Sequence, residues 1–298
     1  MKTKERFSNP FIRKVSYSIS YLPYFVGKGK ILKLLDMLIL KPNGKLNLKF
    51  HDLFTLEINP KEDKGVEEKL FYRGCYEVGT LNFIKLFCNK LDYFIDIGAN
   101  IGLMSIYFNK IHNKPVYSFE ANPETFKILN DNIELNNIEN IKTFNMGIGD
   151  KQDKLKFFPN ININRGGASF INRSNNEDKF YEVELNSVDN LNNIFPSQGN
   201  SLIKIDVEGW ELNVLNGSLN YIKKHKPIII IENSKELSNS KKDSLSIFNF
   251  LSQLNIYEIF VLSRSKENLG KLNKIKNEDE LPNHDNLFCL PKIEDEIS

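Results

Sequence analysis

Short apolar runs alternate with longer stretches of helical period along most of the chain. Residues 92–97, 115–120, 141–145, 201–206 and 227–232 each read as a short buried strand. Helical patterns fill the gaps between them, beginning with residues 103–110 after the first strand. After the second strand, Asn122-Pro123-Glu124 supplies a side-chain cap, a proline at the first helical position and an early acid, and that helix runs to about Asn137. A helix over 241–254, a strand over 257–262 and a final edge strand over 287–290 complete the pattern. This order predicts an α/β fold: a mostly parallel seven-stranded sheet with helices on both faces. Residues 46–58 alternate apolar and polar positions, which predicts a small antiparallel hairpin ahead of the main sheet. The chain therefore divides into an N-terminal helical and hairpin extension, residues 1–60, and a main domain, residues 61–298.

The first strand runs directly into a glycine-bearing turn, Asp96-Ile97-Gly98-Ala99-Asn100-Ile101-Gly102. Glycines there let the backbone turn tightly against a ligand, and the N–H groups of the following helix face it. The spacing is DxGxNxG rather than the GxGxxG of nicotinamide sites. An acid at the strand end repels a pyrophosphate, whereas it attracts the ammonium and sulfonium of S-adenosylmethionine (SAM). The second strand also ends in an acid, Glu120, placed to grip a ribose diol. The charge pattern favours a methyl donor over a dinucleotide. In the segment 73–77, Tyr76 and Glu77 are placed to close over the amino-acid end of such a cofactor, with a plain helix start as the alternative. The glycine-rich segment 164–169 reads as an acceptor lid or as a hairpin turn.

Charge changes the picture at the N-terminus. Residues 1–50 hold eleven Lys or Arg against Glu5 and Asp36, giving +9 and leaving −7 for the remainder of a chain whose net charge is +2. Interleaved with aromatic and aliphatic residues, this leader predicts a helical cap on the core or a peripheral contact with an anionic membrane surface. Its apolar run, 31–40, is broken by Lys33 and Asp36 and falls well short of the roughly 20 residues that span a bilayer. Cys75, Cys88 and Cys289 form neither a disulfide framework nor a metal spacing, so a reducing, cytoplasmic location is expected, with the inner membrane surface as the peripheral option. Four histidines, none at ligand spacing, argue against a zinc enzyme.

The chemistry is expected at Lys204-Ile205-Asp206-Val207-Glu208-Gly209-Trp210-Glu211, where the fourth strand ends. Ligands of open α/β sheets bind outside the carboxyl ends of the strands. Asp206, Glu208 and Glu232 at the end of the fifth strand should therefore share a crevice with Asp96 and Glu120. Methyl transfer to a hydroxyl needs a base, or a metal that lowers the hydroxyl pKa. Three carboxylates suit a hard divalent ion, while their crowding raises one pKa toward a working base; the base is the preferred reading. Glu211, inside the next helix, is expected to be solvated.

DIGANIG, FEANPETFKILNDNIELNN, IKIDVEGWELNVLNG and PIIIIE together resemble the FkbM family of SAM-dependent methyltransferases, over about residues 70–262. The resemblance implies a Rossmann-like class I methyltransferase fold and O-methylation of a hydroxyl on a sugar, glycan or natural product, as in polysaccharide biosynthesis; the basic leader mildly favours a lipid-linked saccharide as the acceptor. It places Asp96, Gly98, Asn100, Gly102, Glu120 and Asn122 around SAM, and Asp206, Glu208 and Glu232 beside the acceptor. The third strand lacks the acid that many class I enzymes use near adenine, and Asp150 is a weak substitute. The alternatives are a non-catalytic SAM-binding scaffold and a nucleic-acid methyltransferase. The acidic balance around the site argues against specific nucleic-acid binding.

Overall fold

The computed structural model describes residues 10–22, 24–158, 169–170, 180–234 and 241–292. Helices α1 (Pro10–Tyr21) and α2 (Lys28–Met37) precede a hairpin of β1 (Leu46–Phe50) and β2 (Phe54–Ile58). Leu46, Leu48, Phe50, Phe54, Leu56 and Ile58 all point inward and are buried, which is what the period of two in the sequence demands. Each such burial contributes about 1.5–3 kcal/mol. Helices α3 (Val66–Arg73) and α4 (Val78–Phe87) then lead to β3 (Tyr93–Ile97). Helices α1 and α2 pack on α3: Ser16 Oγ donates to the Tyr72 carbonyl at 2.7 Å, Tyr17 OH to the Phe71 carbonyl at 3.0 Å, and Arg73 forks onto Asp36.

The remaining elements alternate only as far as β5. They are α5 (Leu103–His112), β4 (Val116–Phe119), α6 (Pro123–Leu135), β5 (Ile141–Phe144), β6 (Gly147–Ile148), β7 (Asp153–Phe157), β8 (Tyr181–Asn186) and β9 (Ser201–Ile205). There follow α7 (Glu211–Asn216), α8 (Leu219–His225), β10 (Ile228–Ser234), α9 (Lys241–Gln253), β11 (Tyr257–Leu262), β12 (Leu272–Lys274) and β13 (His284–Pro291). The main sheet has the order β12-β11-β13-β10-β9-β3-β4-β5. Strands β5, β4, β3, β9 and β10 run parallel, and β13 pairs antiparallel with both β10 and β11.

Three expectations change. The last strand is interior, between β10 and β11, because Leu287, Phe288 and Cys289 are all fully buried and so face apolar layers on both sides. Leu272–Lys274 adds an eighth strand at the edge. Between β5 and β9 the chain builds a separate sheet of order β6-β8-β7 rather than a covering helix. Most of the segment 164–169, the candidate lid, lies outside the described residues.

Parity along the central strands sorts the core from the site. Ile95, Ile97, Ile203, Ile205, Ile229 and Ile231 fill one apolar layer, and Phe94, Leu202, Ile230 and Phe288 the other. Asp96 and Lys204 are register partners, Lys204 is opposite Ile230, and Asp96 is opposite Ser118. Because side chains alternate faces with period two, Asp96, Lys204, Asp206 and Glu232 continue the layer of Phe94, Leu202 and Ile230 at its carboxyl end.

Candidate active site

A cavity of about 400 Å³ opens at that end of the sheet, walled by Asp96, Gly98, Asn100 and Glu120 on one side and by Lys204, Asp206, Glu208 and Glu232 on the other. Its DxGxNxG wall is shaped by close approach. Gly98 has φ +83°, and a Cβ there would lie 1.9 Å from the Asp206 carbonyl oxygen. Asn100 adopts the left-handed conformation at φ 51°, which asparagine tolerates best after glycine. Gly102, φ +91°, starts α5 behind the wall, where a Cβ would meet Leu129 at 2.6 Å.

The two strand-end acids are held in place by donors. Ser105 Oγ donates to Asp96 Oδ2 at 2.5 Å, and burial pushes the Asp96 carboxyl up to about 6. Glu120 accepts from the Asn100 N–H and the Asn122 N–H, both at 2.9 Å. Burial outweighs these bonds and raises it to about 7. Asn122 is not on the cavity wall; it supports Glu120 through its N–H and caps α6 by accepting from the Glu124 N–H at 3.0 Å. Asn100 Oδ1 is a buried acceptor on the wall with no hydrogen-bond partner.

The opposite wall is an ion-pair network. Lys204 Nζ lies 2.6 Å from Asp206 Oδ2, and Lys266 Nζ lies 2.6 Å from Glu232 Oε1 and 2.9 Å from Glu77 Oε1. Burial pulls the Asp206 carboxyl up, but Lys204 and Lys266 together hold it below the ordinary carboxylate range. For Glu232, burial and the neighbouring Asp206 charge prevail over Lys266 and push it well up. Its Oε2 is buried without a hydrogen-bond partner. His284 Nε2 sits 3.6 Å from Glu232 Oε1, with its side chain 45% exposed at the cavity, so it connects that acid to solvent.

Tyr76 and Glu77 part company. Tyr76 lines the cavity under the Lys69 ammonium, 4.9 Å above its ring. Glu77 is fully buried behind the wall, where Asn286 Nδ2 donates to it at 3.1 Å. Its position anchors Lys266 rather than closing over a ligand. Glu208, φ 55°, brings a carboxylate oxygen within 4.8 Å of those of Asp206 and Glu232. That donor set does not fit a divalent ion well, since two buried ammonium groups already hold Asp206 and Glu232 and would repel it. Glu211 is not solvated: buried at the start of α7, it accepts from the Val207 and Gly209 N–H groups at 3.1 and 3.0 Å and fixes the turn that carries Glu208. Asp150 is exposed and off the cavity wall, which at that end consists of Met146, Ile148, Phe157 and Phe170.

Lys204, Lys266 and His284 are additional charged or titratable residues on the wall. Lys204 had a signal, because two residues before Asp206 on a strand means the same face. Lys266 had none, since the β13 strand brings its loop in from afar: Asp285 Oδ1 accepts the Lys266 N–H at 2.7 Å.

Methyltransferase 1 of Beauveria bassiana is 26% identical over 193 residues, 56% of this chain and 72% of that protein. Methyltransferase sdnD of Sordaria araneosa is 26% identical over 194 residues, 54% and 70% respectively. The crystal structure of methyltransferase FkbM from Methylobacillus flagellatus superposes with a TM-score of 0.43 at 17% identity, over 67% of this chain and 44% of that one. Residues 96–256, more than half of the chain, match the methyltransferase FkbM domain, a run that holds Asp96, Glu120, Lys204, Asp206, Glu208 and Glu232 but not Glu77, Lys266 or His284, and the chain belongs to that family.

Proposed function

We propose that the protein transfers a methyl group from SAM to a hydroxyl of a sugar, glycan or natural-product acceptor. The observation that carries this reading is the pair of buried acids, Asp96 and Glu120, ending adjacent parallel strands on one wall of a cavity whose other wall holds a carboxylate network. SAM supplies an electrophilic methyl carbon on a sulfonium. Glu120 accepts from the ribose diol, and Asp96, on the same wall, faces the cationic amino-acid end. Met146, Ile148, Phe157 and Phe170 offer adenine an apolar slot, which removes the need for an acid on the third strand.

Among the carboxylates, Glu232 suits the base. Asp206, held low beside Lys204, binds a proton too weakly, whereas Glu232 has a raised pKa and lines the cavity. It takes the acceptor proton, and His284, 3.6 Å from its Oε1, stands next in line toward solvent. Lys266 fixes the Glu232 carboxylate through the same Oε1.

Calorimetric titration of SAM, S-adenosylhomocysteine and NAD tests the cofactor. Micromolar binding of the first two is expected, lost in Asp96→Ala and Glu120→Ala variants that remain folded. Absence of SAM binding by folded wild-type protein would sink the reading in favour of a scaffold. Hydroxyl transfer is tested separately, by tritiated-methyl incorporation into glycan and natural-product acceptors, with Glu232→Gln expected to bind SAM normally and turn over at least 100-fold more slowly.

A further inference from the structure

Helices α1 and α2 pack on α3, yet they leave an apolar strip uncovered. Val26, Leu34, Met37 and Leu40 are 91%, 60%, 81% and 71% exposed, and Ile31 and Leu38 lie on the same side of α2 as Leu34 by their three- and four-residue spacing. Lys30 and Lys33 stand exposed beside it, and the acid of α2, Asp36, is engaged by Arg73. The segment is therefore apolar and strongly basic together, with +9 over residues 1–50. A second copy of the chain would bring +9 against +9, whereas an anionic lipid surface complements both properties. Among the described residues no helix is long and apolar enough to cross a membrane, so any such contact lies in the interface.

The strip is also tied to the cavity. The Arg264 guanidinium lies 4.9 Å from the centre of the Tyr24 ring, and Lys28 Nζ reaches Asn268 Oδ1 at 3.5 Å. Between those two anchors run Ser265, Lys266 and Glu267, which line the cavity. We propose that this strip docks on anionic lipid membranes and thereby presents the cavity to a hydroxyl carried on a lipid-linked saccharide. The acceptor half of this statement rests on the methyl-transfer reading above; the docking half does not.

Cosedimentation of the full chain with vesicles separates them. With equal parts phosphatidylglycerol and phosphatidylcholine at low salt, the protein is expected to pellet, and with pure phosphatidylcholine to stay in solution. Each lysine near an anionic surface contributes about fivefold to partitioning, so Lys30→Gln/Lys33→Gln should bind about 25-fold more weakly. Val26→Ser/Leu34→Ser/Met37→Ser, which alters only exposed positions, should not pellet while still binding SAM like the wild type. The proposal is overturned if folded wild-type protein ignores the anionic vesicles, or if the triple variant pellets like the wild type. It is equally overturned if light scattering finds a wild-type dimer that the triple variant dissolves, with no lipid binding by either; the strip is then a self-association face. SAM titration on the same samples tells a failure of docking from a failure of the cofactor reading.

Discussion

Lys266 balances the buried charge of the site, since its ammonium is shared by Glu77 and Glu232 while only 6% of its side chain is exposed. Removing it leaves carboxylates uncompensated in a dry environment, a change that costs about 3–5 kcal/mol. Lys266→Met should accordingly lose stability of that order in urea unfolding, and Lys266→Arg much less. The same substitution lifts the Glu232 pKa further, so the alkaline rise of turnover should move to higher pH. A Lys266→Met protein with wild-type stability and an unmoved pH profile would show that the pair carries no charge balance. The two lysines also do at these carboxylates what a divalent ion would do elsewhere. Turnover is therefore expected to be unchanged by EDTA, and a loss restored by magnesium or manganese would reverse that assignment.

At the scale of elements, α6 serves as a partner for a strand edge. Asn136 Oδ1 accepts the Thr55 N–H at 2.8 Å and its Nδ2 donates to the Thr55 carbonyl at 2.6 Å. One turn earlier, Asn132 Oδ1 accepts the Glu57 N–H at 2.7 Å while its Nδ2 donates to the Ile101 carbonyl at 2.9 Å. The outer edge of the hairpin and the DxGxNxG loop thus hang on one helix. Asn132→Leu orphans a half-buried N–H and a buried carbonyl, costing about 1–3 kcal/mol, and should speed amide exchange at Glu57 and weaken SAM binding together. Unchanged exchange at Glu57 would refute the link. In the sequence these asparagines look like compositional bias, because a side chain that mimics a backbone partner has no periodicity to betray it. The central strands were readable for the opposite reason: burial on both faces leaves an unbroken apolar run at 228–231 and mostly apolar runs at 93–97 and 201–205, interrupted near their carboxyl ends by the charges of Asp96 and Lys204. The separate sheet escaped notice because β6 is two residues long and β7 and β8 alternate Leu155 and Val183 with exposed Lys154, Lys156, Glu182 and Glu184. The acids of the site could be read from strand ends, whereas the loop bearing Lys266 depended on a β13 placement that local pattern does not specify.

For the molecule as a whole, the site is a load on the fold. Asp96 and Glu120 are fully buried with carboxyls raised to about 6 and about 7. In the unfolded chain both ionise near pH 4, so between that pH and their folded values the native state binds more protons than the unfolded one. Stability therefore falls as pH rises through this window, by on the order of 3 kcal/mol for each acid, and is flat above it. Asp206 and Glu77 work the other way, with carboxyls held below the ordinary range by the lysines. Their contribution is lost only as pH drops below about 4. Glu232, whose carboxyl is also pushed up, to about 8, adds to the first trend, so the sum predicts a stability maximum between about pH 4 and 5 and a decline toward pH 8, measurable as a melting temperature across that range. Glu120→Gln removes its share of the slope and should melt higher than wild type at pH 8 but not at pH 5. Ligand binding should run opposite to stability, because a diol donates best to an ionised Glu120. SAM affinity is then expected to rise about tenfold from pH 6 to pH 8 in the wild type and to be level in Glu120→Gln. A wild-type protein whose melting point climbs with pH over the same interval would mean that the two acids are ionised in the free enzyme and that the cavity is wetter than its walls imply.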